Sequence, residues 1–324
     1  MRLSRNTAAR PARSAIQNPF HSWRRATPAL AAALALSALP LGGHADEAIG
    51  PPAVSSPPPS LEPAWLEAVR LEYAGQFRAA GDAYERLLAK EPDRAEAAWR
   101  AARAYWQFGE EVTPEAFEEA AEWFERADAL AAKGLLADPR CGECALWKYA
   151  SMGRLVEHRG SLWAARHASD LRDLLELGIA ARPSHRDPDG NSTLANLYYS
   201  SAIFYRMVPE WFWLPLVVGV KGDTERALAD IQLALEISGD RVDYHVEHGA
   251  VLLCRAKREH DKLAGKAGVR VLEKAIKMAP KQSRDAIDLR YAELLIQDPS
   301  GACGFTRQGF LDVESMAGNV GLGR

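Results

Sequence analysis

The feature that most constrains the fold is a helix ending that recurs along the chain. Five alanine- and leucine-rich segments each run into a helix-breaking residue: LLAKEP at Pro92, GLLADP at Pro139, GIAARP at Pro183, LALEISG at Gly239 and KAIKMAP at Pro280. Proline ends a helix because it has no backbone N–H to continue the hydrogen-bond ladder. The stops lie 41 to 56 residues apart, which predicts a series of similar helical units.

The first unit shows that each repeat holds two helices. The chain breaks at Gly75, small residues such as Ala80 allow the two helices to approach closely, and aromatic residues fill the space beside them. The predicted apolar faces carry Trp65, Val69, Leu71 and Tyr73 on the first helix, and Phe77, Ala80, Tyr84 and Leu87 on the second. This spacing is typical of a tetratricopeptide-like unit. We predict an all-α fold, a tetratricopeptide-like helical-repeat solenoid, over residues 63–300.

The repeats are longer than the regular unit of about 34 residues, so they must contain insertions between their helices. In the second unit we predict the insertion at EEVTPEAFEEAAE, residues 110–122. In the fourth it is the aromatic segment VPEWFWLPLVVGVKGD, residues 208–223. No strand or hairpin pattern interrupts the series.

Three stretches carry a family resemblance: AAWRAARAYWQFGEE, GLLADPRCGECALWKYASMGRLVEHRG and the segment from Leu194 to Ile237 that contains the aromatic insertion. Together they resemble the T-component of bacterial TRAP transporters and, similarly, the mitochondrial regulator-of-microtubule-dynamics proteins. The resemblance covers roughly Trp99 to Pro280. It implies an all-helical fold and, for the T-component group, a periplasmic protein linked in a few cases to a substrate-binding partner and a hydrophobic ligand cleft.

The N-terminal segment predicts export. Residues 1–25 contain six arginines and no acid, and they are followed by the apolar run ALAAALALSALPLGG and a small-residue site ending at Ala45. This pattern predicts a Sec-type signal peptide cut near Ala45 and a periplasmic or secreted protein. Retention of the segment as an anchor stays open. Residues 46–62 are predicted to form a proline-rich disordered linker and residues 301–324 a flexible tail.

Charge limits the partners that we expect. The whole chain has a formal net charge of −3, and without residues 1–45 it would be −9. Nucleic acids and anionic lipids are recognised by basic surfaces, so neither is expected as a partner. We also expect no stable membrane span after signal cleavage.

The aromatic insertion supplies the main candidate binding residues. They are Trp211, Phe212 and Trp213, together with Tyr198, Tyr199 and Tyr205 on the helix that leads into them. Two interpretations are open. The rings could pack back onto the helix pair, since aromatic side chains bury large areas, or they could form a binding surface, since exposed aromatic patches mark interaction sites.

Cysteines and histidines provide the alternatives to a binding role. Cys141 and Cys144 form a C-x-x-C pair that is a disulfide candidate in an oxidising compartment, with redox chemistry as an alternative. Cys254 and Cys303 could complete a metal tetrad with them or form a second disulfide. His245 and His248 lie three residues apart, which is not the H-E-x-x-H spacing. No cofactor, metal site or catalytic residue is predicted.

From these observations we expect a non-enzymatic binding protein that contacts a protein partner on its concave face or through the aromatic insertion. A T-component-like accessory protein that binds a small hydrophobic ligand or a solute-binding protein is the alternative. A redox or metal enzyme built on the C-x-x-C pair is the third interpretation.

Overall fold

The computed structural model describes residues 61–112, 117–187, 190–282, 284–307 and 309–310, all of which belong to one compact unit. In these residues the protein is almost entirely α-helical. The helices are α1 Glu62–Tyr73, α2 Phe77–Lys90, α3 Ala95–Glu111, α4 Phe117–Ala137, α5 Gly142–Arg159, α6 Ser161–Ala181, α7 Thr193–Met207, α8 Leu214–Val218, α9 Thr224–Ser238, α10 Val242–Glu259, α11 Lys262–Ile276 and α12 Asp285–Gln297. A 3₁₀ helix at Pro299–Gly304 and a small antiparallel pair, β1 Phe305–Thr306 and β2 Gly309–Phe310, follow.

Helix ends lie where the sequence predicts them. Helices α2, α4, α6, α9 and α11 each finish one to four residues before a predicted stop. Gly75 and Gly239 have φ of 71°, a left-handed conformation that glycine adopts without strain. Several helices also begin at a side-chain cap, such as the Asp261 carboxylate, which accepts from the backbone N–H groups of Leu263 and Ala264.

Packing follows a regular order along the chain. Each long helix contacts the next long helix along the chain, and the short α8 packs on α6. In addition, α3, α5, α7, α10 and α12 contact one another in turn and form a continuous series that we call the helix row. Among the described residues, the three largest apolar cores lie along it. The first is built by α1 to α4 around Tyr84 and Tyr105, the second by α5 to α9 around Leu175 and Leu197, and the third by α10, α11, α12 and the 3₁₀ helix around Leu272.

Two of the predicted segment boundaries differ from the structure. The expected insertion at residues 110–122 is largely helical, because α3 continues to Glu111 and α4 already begins at Phe117. Unit two therefore gains length mainly through a longer second helix.

The second difference concerns the predicted flexible tail at residues 301–324. Ala302, Cys303 and Phe305 are buried in the third core, so the packed structure extends beyond residue 300. The remainder of that tail, from residue 311, lies outside the described residues, as do the predicted signal peptide and nearly all of the predicted linker.

Candidate functional site

The aromatic insertion is a compact connection between α7 and α9 that contains its own short helix. Helix α8 begins with Pro215 in its first turn, where a missing N–H costs no hydrogen bond, and it ends at Gly219, which has φ of 74°. The backbone N–H of Gly219 donates to the Pro215 carbonyl. Pro215 and Gly219 of the insertion thus supply the start and the end of α8.

The base of the insertion is closed by polar contacts. Backbone N–H groups of Gly222 and Asp223 donate to the carbonyls of Pro209 and Tyr205, each at 3.0 Å. A Cβ atom at Gly222 would lie 1.8 Å from the Val208 carbonyl oxygen, so only glycine allows this closure. The two ends of the insertion are therefore fixed against each other.

Glu210 secures the same base. Its Oε1 accepts from the backbone N–H and the hydroxyl of Thr224, both at 2.8 Å, and from Arg258 Nη1 at 3.2 Å. Burial opposes ionisation of Glu210, but the hydrogen bonds of Thr224 and the charge of Arg258 outweigh burial and lower its pKa. A charged, hydrogen-bonded carboxylate thus anchors the insertion to α9 and α10.

Side chains of the insertion divide into a buried set and an exposed set. Trp211 and Trp213 are half-buried and stack on each other with ring centroids 5.2 Å apart, and Leu214 is buried beside them. By contrast, Phe212 and Leu216 are each 88% exposed and Val217 is 68% exposed. We call Phe212, Leu216 and Val217 the α8 surface. Trp211, Trp213 and Leu214 therefore pack back onto the protein, whereas Phe212 is exposed to solvent.

The predicted tyrosines do not join the α8 surface. Tyr205 is buried among α6, α7 and α9, with its hydroxyl 3.4 Å from Glu176 Oε1 and the Arg226 guanidinium 4.0 Å above its ring. Burial raises the Tyr205 pKa to about 12, and the nearby Arg226 opposes the shift. Tyr205 therefore lies beneath the insertion as part of its support.

Tyr198 and Tyr199 both lie about two turns of α7 before Tyr205, and of the two only Tyr199 is on a different side of the helix from Tyr205. Both are half-buried and pack against a small core that includes Tyr244 of α10, whose ring stacks on Tyr199 at 5.0 Å. Burial raises the pKa of Tyr199 well above its ordinary value. The six predicted residues thus do not form one site, because Tyr205 is buried beneath the insertion, while Tyr198 and Tyr199 pack against the small core about two turns earlier on α7.

The four cysteines form two disulfides. Cys141 and Cys144 are joined at the start of α5, where both are buried beside Trp99. Cys254 and Cys303 are also joined, tying α10 to the 3₁₀ helix. The sequence places these last two cysteines far apart, and only the return of the chain after α12 brings them together.

Arg206 is a structurally important residue that the sequence analysis missed. Its guanidinium is completely buried and donates to both carboxylate oxygens of Glu247 and to the carbonyls of Ala302, Cys303 and Phe305. Burial raises the Glu247 pKa, and the charge of Arg206 opposes that shift. Arg206 thereby holds the segment after α12 against α7 and α10.

Further buried ion pairs connect distant helices of the helix row. Arg307 makes two hydrogen bonds to Asp288, at 2.8 and 2.6 Å, and a 3.1 Å ion pair with Asp243. Glu110 on α3 pairs with both Arg154 of α5 and Arg284, the residue that precedes α12. These opposite charges pair between different elements, so they link α3, α5, α10 and α12.

The histidines show no metal-site arrangement. His245 Nε2 lies 2.7 Å from Asp240 Oδ1, while burial and the neighbouring His245 and Lys274 lower the pKa of His248 to about 4. Within the described residues no group of three or more His, Cys, Asp or Glu side chains is placed to hold a metal ion.

Comparison of the chain with models of known protein families and with curated proteins gave no match. The resemblance to the T-component group therefore stays a prediction based on the quoted stretches. Among the described helices, none has the length and apolar character needed to cross a membrane.

Proposed function

We propose that this protein is an exported, non-enzymatic helical-repeat binding protein, tetratricopeptide-like in its organisation, that contacts a protein partner through the α8 surface. The observation that carries the proposal is the exposure of Phe212 and Leu216, at 88% each, just before and within the short helix α8 that connects two long helices. Large apolar side chains on a soluble surface favour a contact that removes them from water.

The rigidity of the base supports the proposal. The Glu210 contacts with Thr224 and Arg258, and the stacked Trp211 and Trp213, hold α8 in one position. A segment whose backbone is already held in place loses little conformational entropy on binding, so more of the buried area contributes to affinity. Two or three such residues suffice as the energetic centre of an interface.

The order of the helices supports the repeat interpretation. Successive helices pack as neighbours and alternate helices form a second series of contacts, as expected for stacked helical pairs. The α8 insertion interrupts the pair α7 and α9, and insertions within repeats commonly carry the binding residues. The T-component-like alternative uses the same surface for a small hydrophobic ligand.

Affinity capture from the native host tests the proposal. Tagged wild-type protein is compared with Phe212→Ser/Leu216→Ser and with the control Leu136→Ser/Leu263→Ser, which changes leucines that are 84% and 76% exposed on α4 and α11. We expect a protein that co-purifies with the wild type and the control to be lost from the α8 variant. Native mass spectrometry of the same samples identifies a bound small molecule, which would favour the alternative.

Retention of every co-purifying protein by the α8 variant would contradict the proposal. Circular dichroism and thermal unfolding of the three proteins exclude misfolding as the cause of any loss. Because all four substituted residues are exposed, each change is expected to alter the free energy of unfolding by no more than about 0.5 kcal/mol.

A further inference from the structure

A second surface feature lies beside the third core, at the C-terminal end of α10. It is an open cleft of about 750 Å³ between the last turns of α10, the helix α11 and the start of the 3₁₀ helix, and we call it the α10–α11 groove. Its apolar lining is supplied by Leu253 and Ala256 of α10, Val269 of α11 and Pro299. The groove thus offers an apolar floor within a recess.

The rim of the groove is basic. Lys262, Lys266 and Arg270 follow one another at intervals of four residues along α11, which places them on one side of that helix. All three are exposed. Lys257 lies on the α10 side, where its Nζ is 3.1 Å from the Ser300 carbonyl oxygen. Positive charge therefore borders the groove on two sides.

Two acidic side chains, Asp261 and Glu273, also line the groove, and they offset only part of the charge of its four cations. Asp261 is engaged as the α11 cap, at 2.8 and 3.1 Å from two backbone nitrogens, and Glu273 lies at the far end of the α11 row. Within the described residues, Lys262, Lys266 and Arg270 make no ion pair or side-chain hydrogen bond. Three adjacent uncompensated cations are notable in a chain with a net charge of −3.

We propose that the α10–α11 groove binds an acidic peptide segment of a protein partner, with carboxylates along the α11 row and an apolar side chain on the floor. Charge complementarity selects the acidic segment, since opposite potentials across an interface favour encounter and fix register. A recessed floor can accept an apolar side chain of a partner. Proteins that bind a bilayer instead insert apolar groups that protrude from their surface. Four cations are too few for the basic footprint of a nucleic-acid surface.

The groove is connected to the base of the α8 insertion. Arg258, the residue after Lys257, donates to the Val208 carbonyl and to Glu210 Oε1. The last turn of α10 therefore contributes to both places. The groove proposal does not rest on the α8 surface, and each is tested with its own variants.

Fluorescence anisotropy with defined peptides tests the groove. Lys262 to Arg270 spans about 12 Å of helix, which corresponds to a helical peptide of about eight residues. The probe is a labelled glutamate/leucine peptide of that length, and the comparison peptides replace leucine with serine or glutamate with lysine. We expect the glutamate/leucine peptide to bind most tightly, with affinity falling as salt rises.

Charge reversal identifies the site of binding. We expect Lys262→Glu/Lys266→Glu/Arg270→Glu to weaken binding of the glutamate/leucine peptide at least about tenfold, because attraction becomes repulsion along the whole row. The control Lys90→Glu/Lys133→Glu/Lys277→Glu makes the same change in net charge at exposed positions outside the groove and should alter the affinity less than about twofold.

Three results would overturn the proposal. The first is equal weakening by the groove variant and the control, which would indicate a general charge effect. The second is binding of the lysine/leucine peptide as tightly as the glutamate/leucine peptide. The third is a wild-type protein that ignores all peptides but binds anionic vesicles or RNA in a manner lost in the groove variant.

Discussion

Arg206 shows how one residue can determine the arrangement of a whole region. All five of its N–H groups are used, two on Glu247 and three on backbone carbonyls of residues 302–305. A buried ion pair adds little net stability when both charges must leave water, but removal of one partner leaves the other charge buried alone. Replacing Arg206 is therefore expected to destabilise the protein mainly because Glu247 would be left buried without its partner.

We expect Arg206→Met to lower the free energy of unfolding by about 3–5 kcal/mol, because Glu247 and three carbonyls lose their partner. Urea denaturation measures the change, and Arg290→Met, at an exposed arginine of α12, is the control. The double variant Arg206→Met/Glu247→Met should recover part of the loss, since no charge is then left unpaired. A loss below about 1 kcal/mol for the single variant would mean that Arg206 does not hold this segment.

His185 makes stability depend on pH. Its ring packs on Trp99 with centroids 4.8 Å apart, and its Nε2 is buried without a hydrogen bond within the described residues. Burial and the charges of Arg100 and Arg103 lower the His185 pKa to about 4. Because the folded protein then binds fewer protons than the unfolded chain, His185 contributes stability above its ordinary pKa near 6.5 and loses it as the pH falls toward 4.

His185→Gln should therefore flatten the pH dependence of stability. Between about pH 6.5 and 4 the wild type should lose up to about 1.4 kcal/mol per pH unit relative to the variant. Asp288, whose pKa burial raises to about 6, changes stability in the opposite direction, but it is present in both proteins and cancels in the difference. Urea denaturation at each pH measures this difference. If the free energies of unfolding of the wild type and the variant differed by the same amount at every pH, His185 would not be held neutral in the folded protein.

Among the elements, the helices were predictable and the insertion was not. Helix ends depend on local chemistry, so Pro92, Pro139, Pro183, Gly239 and Pro280 marked them correctly. For the insertion, composition alone could not separate Trp213 from Phe212. Their different exposure depends on the turn that precedes α8 and on the contacts of its base with α9 and α10.

The insertion yields a contrast that can be measured. Trp211→Ala/Trp213→Ala removes two half-buried, stacked rings. We expect the double variant to lower the free energy of unfolding by roughly 2–4 kcal/mol in total, because each ring is only partly buried and costs less than a fully buried tryptophan. Phe212→Ser/Leu216→Ser should leave stability nearly unchanged. Thermal unfolding of both variants tests the division of the insertion. Similar melting temperatures for the two would show that all four side chains have the same role.

At the scale of the whole molecule, the all-α class followed from the sequence, while the long-range links did not. Cys254 and Cys303, Arg206 and its three carbonyls, and Glu110 and Arg284 are pairs separated by 49 residues or more. Each depends on how successive helix pairs rotate against one another. No local pattern encodes that rotation, which is why the segment after residue 300 was expected to be a flexible tail.

Hydrogen–deuterium exchange of the protein alone and with its captured partner tests the central claim most directly. It reports which backbone segments the partner covers, independently of any substitution. Residues 208–223 should exchange more slowly in the complex, while the helix row, from α3 to α12, should be unchanged. Protection confined to the helix row, with the α8 segment exchanging as in the free protein, would contradict the account.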